Sequence, residues 1–296
     1  MSILINNNTK IIVQGMTGRE GTFHARLMKK YGTNVVAGVT PGKAGTYVDD
    51  MPVFDTVLEA KVESDANTSI LFVPPRFTRE AILEACEAGI ELIVTIAEGV
   101  PLQDMLYCTN YCKKSNSILV GPNTPGIISP GKAKVGFMAD MIYSEGPIGI
   151  MSRSATLSYE TANNLTNEGI GQSTVVGVGG DPICGSTFRD LLPFFEQDEQ
   201  TKVIIIIGEI GGNNEEIAAE YAKKNISKPL VAFIAGEAAP EGKRMGHAGA
   251  IVSPGGGGGA RKKKEDLRAN GVTVVEKLTD IPDAVSKILK KIGDLK

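Results

Sequence analysis

The stretch QGMTGREGTF, Gln14 to Phe23, governs how the fold is read. It follows the strand-like run KIIV and opens a helix-like segment, with glycines at 15, 18 and 21. This G-x-x-G-x-x-G spacing lets a backbone turn tightly and approach a phosphate at a helix N-terminus, where free amides and the helix dipole favour negative charge. A tight turn without a ligand uses the same glycines, so the neighbouring pattern has to separate the two.

That pattern is a continued alternation of strand and helix. The runs NVVAGV, SILFV and ELIVTI precede residue 100, and SILVG occupies 117–121, all with the character of buried parallel strands. Between them lie amphipathic segments such as 76–88, where Ala81, Ile82, Ala85 and Cys86 form an apolar stripe. Residues 122–146 are rich in Pro and Gly and lack a long amphipathic period, which places the domain junction there. Beyond it PIGIMS, STVVGV, KVIIIIG, PLVAFIAG and VTVVE alternate with helix-like sequence, and a last helix starts near 280. The expected fold is α/β: a Rossmann-like domain over 1–125, a linker over 126–146, and a flavodoxin-like, doubly wound parallel-sheet domain over 147–296.

Composition narrows the function classes. With 42% hydrophobic and 22% charged residues the chain is of ordinary globular type, and a net charge of −3 with no block of five like charges speaks against nucleic acid or an anionic membrane as partner. Arg261 to Lys264 form the densest basic run and read as a solvated helix start. The run VIIII at 203–207 is far short of the roughly 20 residues a membrane span needs. The opening MSILINNNTK has neither a secretory apolar segment nor an Arg-rich presequence, which predicts a cytoplasmic protein, or a mitochondrial matrix protein if a presequence has been removed. Cys86, Cys108, Cys112 and Cys184 show no paired spacing and are expected as reduced thiols. No metal site is expected.

In open α/β sheets ligands sit beyond the carboxyl ends of the strands. An NAD site would place an acidic residue after the second strand; this chain has GVTPGKAG there, presenting Lys43 in a Pro-Gly turn. The glycine turn and Lys43 together suit a phosphorylated ribose, as in coenzyme A or NADP, with a solvated turn lysine as the alternative. No G-x-x-x-x-G-K-[ST] occurs, so a P-loop is excluded, and the glycines 255–259 read as a hinge. In the second domain SRSATLSYE puts Ser154 at a helix N-cap, Glu209 emerges from an apolar strand, and His247 lies in the glycine-rich GKRMGHAGAI. His24 is assigned to packing or the surface. A mostly neutral imidazole beside an anion-binding helix start and a carboxylate suits a nucleophile that receives phosphate.

Six ordered motifs, QGMTGREGTFH, GVTPGKAGT, GPNTPGII, GVGGDPI, IGEIGG and GKRMGHAGAI, run from Gln14 to Ile251. Through them the whole chain resembles the α subunits of succinate–CoA ligases. The resemblance implies that Thr17, Gly18, Arg19 and Glu20 form a CoA loop, that Lys43 contacts CoA, and that Ile96, Ala97 and Glu98 form a third CoA segment. It implies that His247 is the phosphohistidine, with Glu209 beside it, Ser154, Ala155 and Thr156 holding its phosphate, and Tyr159 near the acid. It further implies that ATP or GTP, with Mg, binds an ATP-grasp domain on a separate β subunit, in an αβ or α2β2 assembly. The implied reaction is reversible formation of succinyl-CoA through a phosphohistidine and an acyl phosphate, a step of the tricarboxylic acid cycle. Members of the family read S-R-S-G-T-L, G-P-N-C and G-K-G-T-A where this chain has Ala155, Thr124 and PGGGGGARKK. The same chemistry on malate or citrate therefore stands as the alternative, followed by an NADP-linked oxidoreductase and a non-catalytic CoA-binding module.

Overall fold

Short β-branched runs separated by amphipathic stretches of about one helix length form two parallel-sheet units. In the computed structural model, which describes residues 2–253 and 257–294, the first unit comprises β1 (Lys10–Gln14), α1 (Arg19–Tyr31), β2 (Asn34–Val39), β3 (Tyr47–Val48), β4 (Met51–Phe54), α2 (Val57–Ser64), β5 (Thr68–Leu71), α3 (Thr78–Glu87), β6 (Leu92–Thr95), α4 (Leu102–Lys114) and β7 (Ile118–Val120). The strand order is β3-β4-β2-β1-β5-β6-β7, parallel apart from β3. Ile11, Ile12 and Val13 of central β1 are wholly buried, because helices cover both faces. Met28 and Ala25 of α1 pack on one face, while Ala81, Ile82, Ala85 and Cys86 of α3 present their stripe to the other.

The second unit comprises β8 (Gly126–Ser129), β9 (Ala133–Gly136), β10 (Glu145–Ser152), α5 (Ala155–Asn167), β11 (Gln172–Gly177), α6 (Phe188–Gln197), β12 (Val203–Glu209), α7 (Asn214–Asn225), β13 (Leu230–Ala235), α8 (Ala260–Ala269), β14 (Thr273–Val274) and α9 (Ile281–Ile292). Its order is β14-β13-β12-β10-β11-β8-β9. Winding reverses at β10, so the chain ends of β10, β11 and β12 open onto one crevice.

Residues 126–146, expected as a linker, instead supply part of this sheet. β8 and β9 form an antiparallel hairpin, and β8 pairs antiparallel with β11 through Ile127↔Val176 and Ile128↔Val175. Two four-residue strands buried on both faces leave no amphipathic period to detect. The glycines that made the stretch look irregular are needed by the pairing: a Cβ on Gly126 would lie 2.0 Å from the Val135 carbonyl oxygen. The two units are joined by buried hydrogen bonds, Thr33 Oγ1 to the Lys134 carbonyl at 3.0 Å and Ser186 Oγ to the Leu119 carbonyl at 2.8 Å.

The basic run Arg261 to Lys264 is also different from its expected solvated form. Arg261 and Lys262 face water, but Lys263 and Lys264 are buried on the inner face of α8. Lys263 Nζ lies 2.6 Å from Glu215 Oε2 and 2.8 Å from Glu216 Oε2, and Lys264 Nζ lies 2.5 Å from Glu237 and 2.7 Å from Glu276. Lys263→Ala removes the nearer of the two cations that contact wholly buried Glu215, leaving only Arg153 at 3.5 Å, a change expected to cost about 3 kcal/mol. Chemical denaturation of the variant checks it; a loss below about 1 kcal/mol contradicts a structural ion pair here.

Among the described residues no helix is long and apolar enough to cross a membrane. All four cysteines are free; Cys86, Cys108 and Cys112 are buried and Cys184 is partly so. Of the glycines 255–259, Gly255 and Gly256 lie outside the described residues.

Candidate active site

At the carboxyl edge of the first sheet, Gly15 adopts φ +77° and donates its amide to the Val39 carbonyl at 2.8 Å, so the chain leaves β1 folded back beside the end of β2. Gly18 caps α1, and the amides of Arg19, Glu20 and Gly21 have no carbonyl one turn back to bond. Thr17 donates its amide to Thr40 Oγ1 at 3.3 Å, tying this loop to the turn that carries exposed Lys43. A Cβ on Gly21 would sit 2.2 Å from the Gly15 carbonyl oxygen, whereas one on Gly18 would meet only that oxygen, at 3.2 Å. Gly21 therefore closes the turn, and Gly18 leaves the helix end open. Beside it a cleft of about 410 Å³ lies between Gly15, Val39, Pro41, Val73, Pro74 and Phe77. An anion-accepting helix end next to an apolar slot and a lysine fits a phosphorylated adenosine group such as that of CoA.

At the carboxyl edge of the second sheet, His247 lies in a turn held by a bridge between Arg244 and Ile251 and by the Met245 amide donating to the Ala250 carbonyl at 2.9 Å. Its Nδ1 stands 3.0 Å from Glu209 Oε1 and 2.9 Å from Glu209 Oε2. With both carboxylate oxygens on one ring nitrogen, Nδ1 carries the proton and Nε2 keeps its lone pair. The hydrogen bond to Glu209 raises the pKa of His247 above 6.5, against the opposing effects of burial and the Arg153 charge. The ring lies on Gly180, where a Cβ would be 2.4 Å from Cγ of the imidazole.

Glu209 is itself buried and held from behind. Arg153 Nη2 lies 3.2 Å from Glu209 Oε1, and Arg153 Nη1 lies 3.5 Å from Glu215 Oε1. The next residue, Ser154, caps α5 by accepting the Leu157 amide at 3.3 Å, leaving the Ala155 and Thr156 amides at the helix start. Asn123 links the two units: its amide donates to the Ala97 carbonyl at 2.9 Å, its carbonyl accepts the Gly180 amide at 3.2 Å, and its Nδ2 donates to Asp181 Oδ1 at 3.1 Å. Burial pushes the Asp181 carboxyl above its usual range, with Asn123 opposing. The segment Ile96, Ala97, Glu98 is thus brought to the histidine, and the charge of Glu98 contributes to raising the pKa of His247.

Tyr159, expected near the acid, and His24, expected to pack, make none of the contacts described for this cluster. Tyr159 packs among the residues beneath α5, its hydroxyl donating to the Phe137 carbonyl at 3.4 Å, and burial pushes its pKa to about 12. His24 is stacked on Phe72 with ring centroids 5.2 Å apart, a packing arrangement whose burial lowers its pKa. Sequence reasoning assigned no role to Arg153, Asn123, Asp181 or Glu215. Arg153 and Asp181 carried a usable signal: Arg153 is a charged residue directly after β10, and Asp181 follows the glycine pair Gly179-Gly180 in the loop after β11.

Thr124, a departure from the family pattern, is structural: its hydroxyl donates to the Gly177 carbonyl at 2.6 Å and accepts the Gly126 amide at 3.0 Å.

Comparison with known proteins finds relatives along nearly the whole chain. The family model described as CoA binding domain matches residues 6–99, and that described as CoA-ligase matches residues 151–273. The α subunit of succinate–CoA ligase (ADP-forming) from Aquifex aeolicus is 55% identical over 294 residues, covering 99% of this chain and 96% of the relative. A corresponding subunit from Archaeoglobus fulgidus is 52% identical, covering 98% and 99%. Among solved structures, ATP citrate lyase from Methanothrix soehngenii in complex with citrate and coenzyme A superposes with a TM-score of 0.88 at 26% identity, covering 99% of this chain and 52% of that one, so the chain spans about half the lyase. By identity sustained over nearly its whole length, this chain belongs to the family of succinate–CoA ligase α subunits.

Proposed function

We propose that this chain is the α subunit of a succinate–CoA ligase in which His247 carries the phosphoryl group between a nucleotide and the acid. The observation that carries the reading is the Glu209 carboxylate on Nδ1, at 2.9 and 3.0 Å, which leaves Nε2 as the free nucleophile. A β subunit supplies ATP or GTP, and the pair works in the cytoplasm. Nε2 bonds to the γ-phosphorus as the bond to the nucleoside diphosphate breaks, and Glu209 balances the positive charge that develops on the ring. The open amides of Ala155 and Thr156, with Ser154, suit the transferred phosphate.

A succinate carboxylate oxygen then takes the phosphoryl group, which returns the lone pair to Nε2. The thiol of CoA, losing its proton, attacks the acyl carbon and displaces phosphate. Thr17, Gly18, Arg19, Glu20 and Lys43 anchor the phosphorylated end of CoA, while Ile96, Ala97 and Glu98 lead toward the histidine. Tyr159 belongs to the acid-binding side.

The likeness to ATP citrate lyase keeps citrate as the second acid to test. The complex with its β subunit, labelled from γ-labelled ATP, is mixed with CoA and succinate, malate or citrate. Succinate is expected to discharge the label at least about tenfold faster than either other acid. Faster discharge by malate or citrate overturns the choice of acid; label that none of the three removes overturns the ligase reading.

A further inference from the structure

We propose that Arg153 is a positioning residue for phosphoryl transfer, holding the Glu209 carboxylate against His247 while limiting how firmly that carboxylate retains a proton on the ring. The proposal rests on the reading of His247 as phosphoryl acceptor. Arg153 is 6% exposed, and its guanidinium reaches three acceptors on two sides: Glu209 Oε1 at 3.2 Å, Glu215 Oε1 at 3.5 Å and the Gly211 carbonyl at 3.2 Å. A planar fork spans such a set; an ammonium is a point charge and does not. The His247 loop closes over it so tightly that a Cβ on Gly249 would lie 2.6 Å from Nη2.

The partners of Arg153 are fixed in turn. Glu215 is wholly buried, accepts the Glu209 backbone amide at 3.2 Å and binds Lys263 at 2.6 Å. Guanidinium, carboxylate and imidazole therefore share one anchored chain of contacts running from α8 through α7 to the His247 loop.

Most of the charge facing the ring is negative. Glu209 comes from the end of β12, Asp181 from the loop after β11 and Glu98 from the loop after β6, with Glu215 one step behind on α7. Arg244, on the same loop as His247, acts on Asp181. Carboxylates on this many sides favour imidazolium, which has no lone pair to attack phosphorus. Arg153 is the buried cation in contact with Glu209, and its charge opposes protonation of His247. It lets one carboxylate orient the ring and stabilise the charged product without disarming the nucleophile at neutral pH.

The test is the pH profile of the initial rate of His247 labelling in the complex with the β subunit, for wild type, Arg153→Gln and Arg153→Lys. Arg153→Gln is expected to lose at least about tenfold at neutral pH and to recover part of it at alkaline pH, because its acid limb moves upward. Arg153→Lys keeps the charge, so its limb stays in place, but its plateau falls about tenfold as the fork is lost. An unmoved limb in Arg153→Gln overturns the proposal, since a merely structural role lowers the plateau alone. If Arg153→Gln does not fold, a wild-type rate in Arg153→Lys overturns it. Wild-type protein that takes no label means the His247 reading has failed, a different outcome from either.

Discussion

His247→Ala is expected to abolish acid-labile, base-stable phosphate on this chain after incubation with the β subunit and γ-labelled nucleotide, with succinyl-CoA formation falling by at least on the order of 10⁵-fold. The size follows from chemistry: no other described side chain shares the position of Nε2, which points away from a carboxylate that already holds Nδ1. The fold should survive. His247 lies partly exposed on a loop, and in its absence Glu209 and Arg153 remain paired at 3.2 Å. A thermal unfolding midpoint close to wild type with no label is the expected pair of results. Label retained in the variant sinks the mechanism.

Glu209→Gln is expected to slow phosphorylation on the order of 10⁴-fold, as replacing the carboxylate of a carboxylate–histidine pair by an amide does elsewhere. Two effects combine. An amide brings no negative charge to the imidazolium that forms with the N–P bond, and its NH₂ can donate to Nδ1, which moves the ring proton to Nε2 and blocks the nucleophile. CoA affinity should stay within about twofold, because the glycine loop and Lys43 belong to the first sheet and touch none of these groups. Rapid-quench labelling and CoA titration separate the two effects. A phosphorylation rate within about tenfold of wild type contradicts the assigned role of Glu209.

What was readable along the chain was whatever depends on neighbours in sequence. The run Val203 to Ile207 is apolar because both faces of β12 are covered, so its strand nature is written locally. The same holds for Gln14 to Phe23, where glycine spacing and the following helix period sit side by side, and for Ser154, whose capping bond reaches only to Leu157. β8 and β9 were missed because four-residue strands carry no period; their pairing depends on β11, some 50 residues away. Lys263 was misread for a related reason: which members of a basic run turn inward is set by the helix face that packs, and Glu215 lies 48 residues earlier.

The active site divides along the same line. The sequence by itself determined which chemical groups are available: an imidazole in a glycine-rich loop, a carboxylate at a strand end, an anion-binding helix start, and a glycine turn suited to a phosphorylated ligand. Only the tertiary structure decided their mutual arrangement. It set both Glu209 oxygens on Nδ1, brought Arg153 and Glu215 in behind them, and joined the Ala97 segment to Gly180 through Asn123. These contacts join residues between 26 and 62 positions apart in the chain. Their distances depend on sheet order and on how loops close over strand ends, and no local propensity encodes either.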